Sequence, residues 1–268
     1  MKRILTSFWV ATLLAAPAVL LAQTAAPAAE PAKPEPDFTF TGNMALSSEY
    51  LYRGIAQTNH QPAISGGFDF AHKSGFYVGN WNSSISWISD AVQAAGGTEG
   101  TSAPIEMDFY GGYKFSPGAD ITIDVGVLEY YYPIKGFKPS PSPDTFEVYL
   151  AGTYGPATLK YSQATTELFG TFGSKNSYYL DLSATFDVGG GFSVVPHVGY
   201  QKVKGNFSCG DPSYTDYNVK ATKDLSGWTL GLGVYGTNTK DACWQLGGPV
   251  EGKNLGASRL VASFGKSF

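Results

Sequence analysis

The chain has 268 residues, of which 43% are hydrophobic, 15% aromatic and 15% charged, with 33 glycines and a formal charge of −4. So low a charged fraction beside so much apolar and aromatic material excludes disorder, and a sequence pI near 5.4 argues against a nucleic-acid partner. Mean hydropathy is −0.10 and only one long apolar run exists, which excludes a bundle of membrane helices.

That run opens the chain. Lys2 and Arg3 precede an apolar stretch from Ile4 to Leu21, and small residues follow, the order of a secretory signal peptide. A signal peptide over 1–22, cleaved near 22–26, predicts export. The next segment, 23–37 (Gln23 to Asp37), is rich in Ala and Pro and reads as an extended periplasmic linker. Folding is expected over 38–268.

From Phe38 onward the dominant signal is alternation. Ile105, Met107, Phe109, Gly111, Tyr113 and Phe115 share one face, opposite Glu106, Asp108, Tyr110 and Lys114. Tyr178, Leu180, Leu182 and Phe186 alternate with Asp181, Ser183 and Asp187, and Trp228, Leu230, Leu232 and Val234 alternate with Thr229, Gly231 and Gly233. A tilted strand of about 9–11 residues crosses a bilayer with one face toward lipid and the other toward a lumen. About twelve such segments are predicted, near 38–50, 63–71, 76–84, 105–115, 121–132, 146–154, 157–163, 177–188, 192–203, 217–223, 228–236 and 257–268. Short turns alternate with long connections near 51–62, 85–104, 133–145, 164–176, 204–216 and 237–256. A soluble sandwich has no reason to keep its long loops at one end. The pattern predicts an all-β antiparallel transmembrane β-barrel with short periplasmic turns and long external loops.

Two aromatic belts are expected at the rims. Phe38, Phe40, Phe70, Phe76, Phe115, Phe186, Phe192 and Trp228 would lie near the periplasmic rim, and Tyr130, Tyr131, Tyr132, Phe146, Tyr178 and Tyr217 near the outer one. Pro196, inside the ninth segment, removes a ladder donor, so a local bulge is expected there. The chain stops at Phe268 after alternating Leu260, Ala262 and Phe264. A terminal aromatic on such a strand resembles the signal read by the barrel-assembly machinery, although Lys266 interrupts the apolar face.

Parity assigns the lumen. Glu106, Asp108, Asp124, Glu147, Asp181 and Asp187 are expected to face inward, opposed by Lys160, His197, Lys202 and Lys220. Such groups set ion selectivity in a water-filled pore, or pair across neighbouring strands and narrow it. Cys209 and Cys243 fall in the fifth and sixth long loops and are expected to form a disulfide in an exported protein. No catalytic or metal-binding set emerges: His60, His72 and His197 share no ligand spacing. The pattern Gly231-x-Gly233-x-x-Gly236 lies along an alternating strand, not at a helix N-terminus where a dinucleotide would bind.

The stretch from Ser47 to Trp81 carries Tyr50, Arg53-Gly54, Gln57-Thr58, Pro62-Ala63, Gly66-Gly67, His72 and Ser74-Gly75-Phe76-Tyr77. It resembles the start of the TorF-type porins, a proteobacterial outer-membrane family of unknown function, with weaker echoes at 106–113 and 128–133. The resemblance implies an outer-membrane barrel and supplies neither catalytic residues nor a substrate. The combined expectation is a channel in the cell outer membrane, surrounded by lipid and needing no cofactor, through which small hydrophilic solutes or ions diffuse passively. The alternatives are a non-conducting barrel (adhesin, receptor or membrane enzyme) and a secreted soluble carbohydrate-binding sandwich.

Overall fold

A strand whose side chains alternate apolar and polar must place its two faces in two different solvents. Twelve such strands close on one another in the computed structural model, which describes residues 36–97, 102–118, 120–136, 140–244 and 254–268. The signal peptide and nearly all of the linker lie outside the described residues. The strands are β1 Phe38–Ser47, β2 Ala63–His72, β3 Phe76–Ser84, β4 Ile105–Gly118, β5 Ile121–Tyr131 and β6 Thr145–Tyr154. They continue with β7 Ala157–Ala164, β8 in two pieces (Tyr178–Ala184 and Phe186–Gly189), β9 Phe192–Lys202, β10 Tyr214–Leu225, β11 Trp228–Thr237 and β12 Arg259–Ser267. Every strand pairs antiparallel with its neighbours in sequence. β1 closes the ring on β12, with Leu46 opposite Phe264, and on β2, with Leu46 opposite Ile64. A closed ring leaves no edge.

The outside is apolar all round. Phe40, Ile64, Val78, Phe109, Val125, Leu150, Leu159, Leu182, Val198, Val219, Leu232 and Leu260, one from each strand in order, are all exposed. Water would not tolerate that surface and a bilayer requires it. Lys266 is on this face too, its Nζ 4.9 Å from the Trp228 ring centroid, and the Phe268 ring lies over Gly42 at the seam between β12 and β1.

The glycines and tyrosines explain each other. On the inner wall, Tyr110 of β4 crosses Gly79 of β3 and donates to Asp69 of β2 at 2.5 Å. Tyr77 of β3 crosses Gly112 of β4 to Asp124 of β5 at 2.6 Å. Tyr179 of β8 crosses Gly199 of β9 to Asp216 of β10 at 2.9 Å. Each ring lies flat where a Cβ would collide with it, and each hydroxyl satisfies a carboxylate two strands away. Wide side chains are thereby held against the wall and out of the lumen.

The short connections gather at the end that carries Phe38 and Phe268, which we call the turn end. There Ser226 and Gly227, both at positive φ (57° and 92°), make the two-residue turn that matches strand twist. The opposite strand ends lead into the six long loops, L1 (48–62), L2 (85–104), L3 (132–144), L4 (165–177), L5 (203–213) and L6 (238–258). L2 contains a helix, α1 Trp87–Ala94, and L6 a short one, α2 Asp241–Trp244; neither carries a period long enough to be read as a helix in advance.

Pro196 does not produce the expected bulge. The β8–β9 ladder is interrupted at Thr185, yet the register is the same on both sides, Ser183 opposite His197 and Phe186 opposite Val194. A missing donor costs local pairing without inserting a residue. The irregularity comes later, between Asp187 and Gly189.

Candidate functional site

L1 does not extend away from the barrel as its place among the long loops implies. It folds inward. Leu51–Tyr52 and Ile55–Ala56 pair as a miniature hairpin whose two turn residues, Arg53 and Gly54, both have positive φ (47° and 78°). A non-glycine residue in that conformation is strained and persists where its surroundings hold it. At Gly54 an added Cβ would lie 2.6 Å from Thr237 Cγ2 and 2.8 Å from Asp216 Cβ, so the tip touches the wall at β10 and β11.

Arg53 supplies the hold. Its Nη2 donates to both carboxylate oxygens of Glu147 on β6 (3.0 and 2.7 Å), and its Nη1 donates to Gln201 Oε1 on β9 at 2.7 Å. The guanidinium is sandwiched between the rings of Tyr52 and Tyr179, 4.7 and 4.2 Å from their centroids. Strands β6 to β9 lie opposite β1 and β2 in a ring of twelve, so the hairpin crosses the lumen. On its near side Tyr50 donates to Glu106 Oε1 at 2.5 Å and packs edge-on to Trp81, while Tyr132 donates to Glu106 Oε2 at 2.6 Å. Burial, with the Glu106 charge beside them, pushes the Tyr50 and Tyr132 hydroxyls well above their usual range, so both remain donors. Tyr52 donates to Tyr130 and packs on Phe169 of L4. Gln57 and Thr58 fasten the rest: Gln57 N and O bond Tyr50 O and the Ser86 amide, and Thr58 Oγ1 accepts from Tyr50 N.

The remaining motif residues shape the wall. Pro62 leads into β2. A Cβ on Gly66 or Gly67 would collide with the backbone of β1 or β3 respectively, so both allow close strand approach. His72 and Gly75 (φ 104°) sit in the first turn, where His72 Nδ1 is 2.7 Å from Ser74 Oγ.

The residues expected in the lumen divide into two groups. Glu106, Asp108 and Glu147 are almost fully buried beneath L1, and no partner for either Asp108 carboxylate oxygen is found among the described residues. Asp124, Lys160, Asp181, His197 and Lys220 line the wall toward the turn end. Lys114 lies 3.7 Å from Asp124. Lys160 Nζ is 3.9 Å from the Tyr149 ring centroid, on the residue paired with Asp181 across the strands. His197 contacts Asp181 Oδ2 at 2.8 Å through Nε2 and Asn218 Nδ2 at 3.0 Å through Nδ1.

Two assignments change. Lys202 shares outward parity with Val198 and Tyr200 and pairs with Asp211 of L5 at 3.0 Å; bonds from Ser213 and then Lys202 hold the Asp211 carboxyl well below its usual range. Asp187 keeps the inward parity of Asp181, opposite Ser193, and is exposed at the turn end, where it accepts from the Gly189 amide. Tyr130 and Tyr132 are buried against L1 and not exposed at a rim, since Tyr130 has the inward parity of Asp124. Inward residues not anticipated are Asp69, Asp216, Gln201 and Arg259. Parity within the anticipated segments signals Asp69, Gln201 and Arg259; Asp216 precedes the anticipated segment 217–223. Arg259 donates to His60 Nε2 at 2.8 Å, and His60 Nδ1 is 2.5 Å from Glu49, so His60 is part of the inner wall's hydrogen bonding.

L5 and L6 brace the hairpin from above. Cys209 and Cys243 are joined, with Cα atoms 5.3 Å apart. Next to them Trp244 donates to Pro212 O at 2.9 Å and accepts from the Leu255 amide, and Leu255 O accepts from the Ala56 amide at 2.9 Å. Ile55, Ala56, Tyr214 and Leu255 form one apolar cluster. Replacing both cysteines with serine should therefore speed hydrogen exchange in 50–60 and 254–258 while leaving strand amides unchanged, because the ladder does not depend on loop closure. Faster exchange throughout the strands would contradict this division.

Similar architecture occurs among solved structures. The chain aligns with the KdgM porin at TM-score 0.52 and 9% identity, over 86% of this chain and 98% of that one. The same porin in complex with disordered oligogalacturonate gives 0.52 at 10%, over 86% and 99%, and the NanC porin 0.51 at 10%, over the same shares. At such identities the likeness is one of fold. No curated protein matches by sequence. A family model described as a bacterial protein of unknown function matches residues 29–268, and the chain therefore belongs to that family, Gcw_chp.

Proposed function

We propose that the chain is an outer-membrane channel for passive diffusion of small hydrophilic solutes or ions, narrowed at its loop end by the L1 hairpin. The carrying observation is a closed barrel, apolar outside and lined by charges and tyrosines inside, with one loop latched across the lumen by Arg53. The basic, apolar, small-residue order of 1–22 supports export, and short turns facing the periplasm follow the usual topology of such barrels. The motif over Ser47–Trp81 supports a place among the TorF-type porins. Phe268, folded against Gly42 at the closing seam, is assigned to recognition by the assembly machinery.

Charge narrows the solute class. Asp69, Glu106, Asp108, Asp124, Glu147, Asp181 and Asp216 face inward from the strands, against Lys114, Lys160, Lys220, Arg259 and the hairpin's Arg53. Carboxylates in excess attract cations, less so as salt screens them. One KdgM porin structure is in complex with disordered oligogalacturonate; the wall of this chain favours neutral or cationic solutes. In a salt gradient across a planar bilayer the reversal potential should show a weak cation preference that fades near molar salt. Asp124→Asn with Asp181→Asn, the partly exposed pair, should reduce it. An anion preference, or one unmoved by the double substitution, would sink the assignment. A second reading, a barrel whose lumen is closed at rest, draws on the same hairpin, and currents from the resting protein would exclude it.

A further inference from the structure

Lys266, which breaks the apolar pattern of the last strand, has one counterpart. In the half of the outer wall nearest the turn end, the charged strand residues with outward parity are Lys223 of β10 and Lys266 of β12, both half-buried. The other ten strands place no Asp, Glu, Lys or Arg there. Glu129 and Lys202 are at the loop end, and Lys73 of the first turn is paired with Asp37 at 2.6 Å. The two lysines flank β11, Lys223 opposite Leu230 and Lys266 opposite Trp228.

Both ammoniums are folded onto rings. Lys223 Nζ is 4.3 Å from the Phe192 ring centroid and donates to Gly190 O, and Lys266 Nζ is 4.9 Å from the Trp228 centroid. Trp228 stacks on Phe264 at 4.7 Å, with an interplanar angle of 1°. The rings hold the stems at the rim. An ammonium has three donors; Lys223 spends one on Gly190, and no acceptor for Lys266 Nζ is found among the described residues. The carboxylates of the adjoining turns are directed elsewhere: Asp187 and Asp224 have inward parity and accept from the Gly189 and Gly227 amides.

We propose that this patch, from β9 to β12 at the turn end, binds the phosphate of an anionic phospholipid. The rim is the level at which strands meet headgroups, and tryptophan marks it. Phosphate oxygens there meet the unspent donors. Two cations with no outward carboxylate beside them favour a headgroup of net negative charge over a zwitterionic one, whose own ammonium would find no partner. Leu230 and Phe264, paired one step deeper than Trp228 and Lys266, offer the acyl chains an apolar floor. The site rests on the barrel's place in a membrane and not on whether it conducts.

The test is native mass spectrometry of the full chain released from vesicles of equal phosphatidylglycerol and phosphatidylethanolamine, each retained lipid being identified by its mass. Phosphatidylglycerol should be retained roughly tenfold or more over phosphatidylethanolamine. Lys223→Gln or Lys266→Gln should each cut that ratio about fivefold, and Lys202→Gln at the loop end should leave it unchanged. Lipopolysaccharide carries phosphates in the other leaflet, and adding it to the vesicles should not displace the phospholipid. Heat-modifiable migration confirms that each variant is inserted, so a failure here counts against the site and leaves the channel standing. Equal retention of the two lipids, an undiminished ratio in the glutamine variants, an equal fall in the Lys202 variant, or displacement by lipopolysaccharide would overturn the proposal.

Discussion

Proteoliposomes carrying Arg53→Ala should admit larger neutral solutes than those carrying the unaltered chain, in swelling assays with an isosmotic series of sugars. Arg53 and Glu147 are an ion pair at 2.7 Å with both side chains almost fully buried. Removing one partner of a buried pair costs about 3–5 kcal/mol, because the other is left uncompensated. That shifts the ratio of latched to unlatched hairpin by roughly two to four orders of magnitude. The double variant Arg53→Ala with Glu147→Gln should admit the same larger solutes, whereas Arg53→Lys should fall between, keeping the charge but losing the planar fork. An unchanged size limit in the alanine variant would mean that L1 does not set the constriction.

Gly79→Val should destabilise the barrel where Gly152→Val does not. A Cβ at Gly79 would run into the ring and hydroxyl of Tyr110, whereas at Gly152 it would meet only Ile123 Cδ1 at 3.8 Å, on the lipid side. Valine at 79 must push Tyr110 off the wall, breaking its bond to Asp69 and moving the ring into the lumen. Overpacking of this kind costs about 1–3 kcal/mol, against roughly 0.5 kcal/mol or less for a substitution that meets nothing. Urea unfolding of the refolded barrels measures the difference. Equal midpoints would refute the idea that the tyrosines need glycine beneath them.

The strands were legible because their signal is local. Period-two alternation and the contrast of short and long connections need no knowledge of partners, and all twelve segments anticipated correspond to strands within a few residues. Parity then places Asp124, Lys160, Asp181, His197 and Lys220 on the inner wall. Where it was applied a residue out of step, as at Lys202, or the strand was begun late, as at Tyr214, a neighbour such as Asp216 was lost. The tyrosine–glycine straddles could not be read, because they depend on register two strands apart. Nor could the direction of L1. Length and turn residues mark a loop without saying which way it folds. A hint was present: Tyr50, Leu51, Tyr52, Ile55 and Ala56 are too apolar for a solvated loop, and Arg53-Gly54 between them fits a two-residue hairpin turn. The most recognisable motif of the chain is thus the segment that enters the lumen.

Single-channel recording of the purified full chain in planar bilayers tests the central claim most directly. The account predicts discrete, small current steps from the unaltered protein, with larger steps from Arg53→Ala in the same lipid and salt. Inserted, heat-modifiable barrels that pass no current in either form would contradict it.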